Sequence, residues 1–195
     1  MQFEERVYSI LVVSASQKFI DAFSALLQPG QYDPVVSVSD LSSAKRELAA
    51  RDYDFVVVNS PLSGDTGARF AIDAGASGET VALIIAGGEL YEEISGVVTD
   101  HGVFTLPKPM SQQMMLTALK WMSGARERAR MTAKKTLSLE EKMEEIRLVN
   151  RAKWLLIEKR GMDEPSAHRF IEKQAMDRCV TKRTVAEQLL KELQT

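Results

Sequence analysis

Short apolar runs alternate with longer amphipathic stretches through the first 125 residues. Five runs, at residues 7–13, 34–38, 55–58, 81–85 and 103–106, are rich in Val, Ile and Leu and nearly continuous rather than alternating. Runs of this kind mark strands buried on both faces, as in a parallel sheet. Between them, Phe19, Ala22, Phe23, Leu26 and Leu27, then Leu41, Ala44 and Leu48, then Phe70, Ile72 and Ala74, fall at helical spacing. Turn chemistry at Pro29-Gly30, Ser63-Gly64-Asp65 and Gly87-Gly88 interrupts them. The alternation predicts an α/β fold, a five-stranded doubly wound domain over residues 1–125.

From Ser111 onward the pattern is helical. Met114, Met115, Ala118, Leu119 and Met122 predict a long helix closing the first domain, and residues 126–135 form a basic, apolar-poor connector within a helical or coiled-coil linker, 126–146. Leu139, Met143, Ile146, Asn150 and Lys153 then recur at steps of four, three, four and three. This spacing fits a heptad seam, and over so short a span it fits an ordinary amphipathic helix as well. In a coiled coil, Leu139, Met143, Ile146 and Asn150 are the dimer seam and the buried Asn150 fixes register. Lys159, Arg160 and Gly161 mark the helix end. Two shorter helices follow: Asp163 caps the first, with Pro165 in its first turn and Ala167, Phe170, Ile171 and Ala175 facing inward. Thr181 or Thr184 starts the second, whose apolar face is Val185, Ala186, Leu189 and Leu190. Residues 147–195 therefore read as a small all-α three-helix domain.

Composition narrows the function. With 45% apolar and 27% charged residues the chain has the makings of a packed core, so disorder is not expected. One cysteine excludes an intramolecular disulfide, and with only two histidines there is no metal cluster. The acidic N-terminus and the lack of a long apolar run point to a cytoplasmic protein without a membrane span. The net charge of −2 conceals an asymmetry: residues 1–125 carry 8 basic and 15 acidic side chains, residues 126–195 carry 17 and 12. A polyanionic partner would therefore meet the C-terminal part.

Ile10-Leu11-Val12-Val13, Asp54 to Asn59, Pro61, Gly67 and Leu106-Pro107-Lys108-Pro109 together resemble a response-regulator receiver domain, which implies a flavodoxin-like sheet. In that family an acidic pair after the first strand helps bind magnesium and an aspartate after the third accepts a phosphoryl group. Both roles need ionised carboxylates. Here Ser14 and Ala15 stand at the acidic pair and Asn59 at the acceptor, the family's hydroxyl position falls on Ala86, and its switch aromatic falls near Thr105. These departures imply a pseudo-receiver, with Lys108 left as a packing or hydrogen-bonding residue. Asp65, in the following loop, lacks the metal carboxylates an acceptor needs.

Residues 147–190 resemble the ANTAR domain of transcription antiterminators, through Asn150, Ala152-Lys153, Gly161, Ala167, Ala175-Met176 and Val185-Ala186. Trp154 departs from the family, in which many members have glycine; it could stack on a base, but a large aromatic on a bundle helix is more often core. The resemblance implies binding of paired stem-loops in a leader transcript, which prevents an overlapping terminator from forming. Arg151, Lys153, Arg169, Lys173, Arg178, Lys182 and Arg183 are the expected phosphate contacts, and Gln174 and the arginines the expected readers of loop bases. Each of these cations is equally compatible with a solvated helix face, and His168 reads as a surface residue. The expected partners are structured leader RNA, a second copy of the chain, and a sensor or regulatory protein. No cofactor and no enzymatic activity are expected, because no nucleophile–base pair or phosphate-cradling loop is visible. The competing readings are a DNA-binding regulator, with residues 180–185 as the start of a recognition helix, and a protein-interaction module.

Overall fold

The computed structural model describes residues 6–193 and forms two compact units, 1–131 and 132–195. The acidic residues that open the chain lie outside the described residues. In the first unit β1 (Tyr8–Val13), α1 (Gln17–Ser24), β2 (Tyr32–Val38), α2 (Leu41–Ala50), β3 (Phe55–Asn59), α3 (Ala68–Gly75), β4 (Val81–Gly87), α4 (Glu89–Val98) and β5 (Phe104–Lys108) lead into α5 (Gln112–Arg160). The strands are all parallel in the order β2-β1-β3-β4-β5, the flavodoxin-like arrangement expected.

Side chains alternate across the strands, which splits the core into two layers. Leu11, Val13, Val56, Val58, Ala82 and Ile84 pack against Ala44 of α2, Phe70 and Ala71 of α3, and Ile94 and Val98 of α4. Ile10, Val12, Phe55, Val57, Leu83 and Ile85 pack on the opposite face against Phe23 of α1 and Met115, Ala118, Leu119 and Met122 of α5. Burying an aliphatic side chain of this size contributes about 1.5–3 kcal/mol, so the first three turns of α5 are structural members of this unit.

Some boundaries differ from those expected. β2 begins at Tyr32, ahead of Pro34, because an edge strand tolerates proline. α4 lies outside the stretches that spacing picks out: only Ile94 and Val98 are buried, and Gly96 dilutes its pattern. The connector expected at 126–135 is helical throughout, part of a single helix from Gln112 to Arg160. Its arginines, alanines and lysines favour helix, and neither Pro nor Gly occurs between Gly124 and Gly161.

In the second unit the end of α5 packs with α6 (Glu164–Asp177) and α7 (Lys182–Leu193). The core is made of small and branched residues: Val149, Ala152 and Leu156 from α5, Ala167, Ile171 and Ala175 from α6, and Val185, Ala186 and Leu189 from α7. Asp163 caps α6 by accepting from the Ser166 amide at 2.9 Å. Of the two threonines, Thr181 caps α7, accepting from the Thr184 amide at 3.1 Å.

A charged cluster fixes α5 beyond the apolar layer. Asp54, just ahead of β3, accepts from Arg126 Nε at 2.8 Å and Arg130 Nη2 at 2.6 Å through Oδ1, and from the Ser9 amide at 3.1 Å through Oδ2. Arg130 also donates to Glu127 at 2.8 Å, and Glu127 accepts from Tyr8 Oη at 3.2 Å. Burial alone pushes the Asp54 carboxyl up, but the hydrogen bonds from Arg126 and Ser9 and the charges of Arg130 and Arg126 outweigh it, leaving the group below its usual range. A depressed folded-state pKa contributes stability that is present above the ordinary carboxylate pKa, about 3.9, and is lost as pH falls through the folded value. Asp54→Asn is expected to lower unfolding stability at pH 7 by about 2–4 kcal/mol, since it strands two arginines. Chemical denaturation followed between pH 7 and pH 3 checks this: the gap between wild type and variant should be constant near neutrality and begin to narrow below about pH 4.

Candidate nucleic-acid interface and receiver site

The residues standing at the receiver family's phosphorylation positions come together at the C-terminal ends of the strands. Ser14 follows β1, Asn59 ends β3, Ala86 lies in β4 and Lys108 ends β5. Asn59 Nδ2 donates to Ser14 Oγ at 2.9 Å, and Ser14 Oγ accepts from the Ser16 amide at 3.1 Å. Asn59 is only 8% exposed, and its Oδ1, like Ser60 Oγ, has no hydrogen-bond partner. Lys108 Nζ donates to the Ser60 carbonyl, and burial lowers its pKa. Ala15 is exposed and Ala86 buried, and Thr105 Oγ1 lies 3.3 Å from Ser95 Oγ. Asp65 is exposed and its Oδ1 accepts from the Gly67 amide at 2.7 Å. Gly67 has φ +75° and a Cβ there would meet Val58 at 2.6 Å, so only glycine fits beside the strand. The site gathers two hydroxyls, an amide and an ammonium group, with no carboxylate among them.

In the second unit the cations expected at the interface divide by environment. Arg151, Arg169, Lys173 and Arg178 are exposed. Arg169, Lys173 and the exposed Met176 follow one another at i, i+4 and i+7 along α6 and so share one face. Lys153 is turned inward, its side chain 15% exposed and Nζ bound to Glu164 at 3.0 Å. Lys182 binds Glu172 at 2.5 Å and Arg183 binds Glu187 at 2.9 Å. Glu172 also faces His168 Nε2 at 3.2 Å, and the hydrogen bond and charge of Lys182 hold its carboxyl below the usual range.

Two features were not anticipated from sequence. Arg160, read there as a helix-end residue, lies over the Phe170 ring at 5.4 Å and lines a small cleft with Gln174 and Arg178. Its signal was the basic pair ahead of Gly161, which serves the helix end equally well. Trp154 is 70% exposed, which corrects the expectation that it is core; the adjoining α5 core positions are filled by Ala152 and Leu156. The expected seam residues Leu139, Met143 and Ile146 are each more than half exposed within the chain, and Asn150 is exposed beside them. No described helix is long and apolar enough to cross a membrane.

A family model described as "ANTAR domain" matches residues 137–190, beginning ten residues ahead of the expected start at 147. The chain is 37% identical over 171 residues to the transcriptional regulatory protein PdtaR of Mycobacterium tuberculosis, covering 87% of this chain and 83% of that protein. Among solved structures, the signal receiver domain of an HD domain-containing protein from Pseudomonas fluorescens matches with a TM-score of 0.57 at 21% identity, over 69% of this chain and 96% of that one. A response-regulator receiver domain from Clostridium thermocellum matches with a TM-score of 0.55 at 16% identity, over 64% and 98%. At these identities the structural matches speak for the fold of the first unit, whereas the likeness to PdtaR runs through both units. The chain thus belongs to the ANTAR response regulators, in which a receiver domain precedes an ANTAR domain.

Proposed function

We propose that this protein is a cytoplasmic transcription antiterminator that binds stem-loops in leader RNA through residues 147–195 and whose receiver works without phosphorylation. The observation that carries the reading is the set of outward-facing cations, Arg151, Arg169, Lys173 and Arg178, on a helical unit with a packed core of its own. Such cations neutralise phosphates, and Gln174 and Arg178 beside the Phe170 cleft add side chains suited to base edges. Lys153, Lys182 and Arg183, held by carboxylates of the same unit, meet phosphate only by exchanging those partners, so they contribute less to affinity. Trp154 offers a ring to a splayed loop base. The domain division underlying this reading, 1–125, 126–146 and 147–195, assigns the exposed stripe of Leu139, Met143, Ile146 and Asn150 to a homodimer seam. A dimer presents two such units to paired hairpins.

In the receiver, a neutral Asn59 amide is a poor nucleophile, and Ser14 and Ala15 bring no charge to hold magnesium. Control then passes to a sensor or regulatory protein, a ligand, or the concentration of the chain itself.

Three outcomes test these statements. Treatment with a small phosphodonor and magnesium should leave the intact mass unchanged, and a stoichiometric, base-labile phosphoryl adduct would refute the pseudo-receiver reading. Sedimentation should show concentration-dependent dimerisation that Ile146→Glu abolishes while the helical circular dichroism is kept. The decisive measurement compares leader hairpins with scrambled-loop hairpins and duplex DNA at matched salt. Loop replacement with the stem preserved should cost on the order of 1–3 kcal/mol. Arg169→Ala with Lys173→Ala should weaken all RNA binding and reduce the salt slope by roughly 1.5–2. Equal affinity for all three nucleic acids would replace this reading with non-specific or DNA binding, and binding of none would leave a protein-interaction module.

A further inference from the structure

A cavity of about 590 Å³ opens in the first unit at the pole of the sheet opposite Ser14, Asn59 and Lys108. Its position follows from the parallel topology: Tyr8 and Tyr32 are the first residues of β1 and β2, whereas Ser14 follows β1 and Asn59 and Lys108 end their strands. The Tyr8 ring stacks on Phe55 with centroids 5.0 Å apart and lies 6.4 Å from the Tyr32 ring, which sets an aromatic floor. Leu26 after α1 and Leu116 and Leu119 of α5 add apolar wall. Among the described residues, the charged ones in the lining are Arg6 and Lys120, and none is acidic. Glu127, one step beyond, pairs with Arg6 at 3.2 Å and accepts from Tyr8 Oη.

Since Tyr8 already stacks on Phe55 and carries the Arg130 guanidinium 5.7 Å from its ring centroid, Tyr32 is the ring left to meet a ligand. We propose that this cavity binds a small aromatic carboxylate, its ring laid against Tyr32 and the leucine wall and its carboxylate taken by Lys120 and Arg6. The volume lies within the roughly 300–1,000 Å³ of small-molecule sites, and the lining sets tyrosine and leucine surface beside the polar groups of Gln28, Gln31 and Ser123 and the two cations. A neutral aromatic would satisfy the floor and bring nothing to Lys120. A purely inorganic anion would use the cations and waste the floor. The site also touches the charged cluster on α5. A bound carboxylate competes with Glu127 for Arg6, and Glu127 in turn accepts from Arg130, which holds Asp54. Occupancy is therefore felt at residues 126–131, where the first unit ends. The inference goes beyond the RNA reading and does not depend on it.

The test uses the full chain and 8-anilinonaphthalene-1-sulfonate, a fluorescent aromatic anion, followed by displacement with benzoate, phenylacetate and indole-3-acetate and with the corresponding neutral amides. One saturable site is expected, from which at least one carboxylate displaces the probe about tenfold better than its amide, the scale of one charge pair worth about 1.4 kcal/mol. Lys120→Glu, a substitution at an exposed position, should weaken probe binding by about the same factor with unchanged circular dichroism. Hydrogen exchange should show protection at residues 26–32 and 116–123 on binding and altered exchange at 126–131. Absence of saturable binding, equal displacement by acids and amides, indifference to Lys120→Glu, or protection falling only on residues 137–160 would each overturn the proposal.

Discussion

A parallel sheet cannot leave either face to solvent, and in this protein that requirement recruits the first turns of α5 as half of a core layer. Met115, Ala118, Leu119 and Met122 are as much part of the receiver as the strands they cover. The Asp54 cluster then carries the attachment two turns further, to Arg126 and Arg130, using ionic contacts where apolar ones have run out. The same helix supplies Val149, Ala152 and Leu156 to the second unit's core. One element thus belongs to two cores, and the state of the receiver and the state of the ANTAR domain share a backbone.

The regular parts of both units are legible in sequence because they follow from periodicity. Continuous apolar runs marked all five strands, and the stripes on α6 and α7, with caps at Asp163 and near Thr181, were readable from spacing and side-chain chemistry. What escaped was long-range or two-sided. Asp54 looks like one more acidic residue until the fold brings Arg126 and Arg130, more than 70 residues away, onto it. A helical linker was expected at 126–146, but its unbroken continuity from Gln112 to Arg160 escaped because a stretch poor in apolar residues carries no hydrophobic period. Trp154 escaped because size suggests burial, while the positions that actually face the core take alanine and leucine.

The candidate interface illustrates the limit of counting charges. Seven cations were expected to meet phosphate, but three of them are held by carboxylates of the same unit. The Lys182 and Arg183 pairs are solvent-exposed and contribute little to stability, whereas Lys153 is turned inward beneath an exposed Glu164. Of the seven, Arg151, Arg169, Lys173 and Arg178 stay exposed on the unit's surface. In the proposed RNA complex, a surface offering fewer available cations would rely more on base contacts.

The hydrogen bond between Asn59 and Ser14 at the top of the sheet ties the chemistry of the two positions together. An aspartate placed at position 59 alone would put a carboxylate at a site 8% exposed, against Ser14 and without the acidic pair that recruits a metal. An acidic residue at the exposed position 15 would carry little burial cost, whereas one at the buried position 14 would need a cation or metal beside it, so positions 14 and 59 are the pair whose chemistry is interdependent.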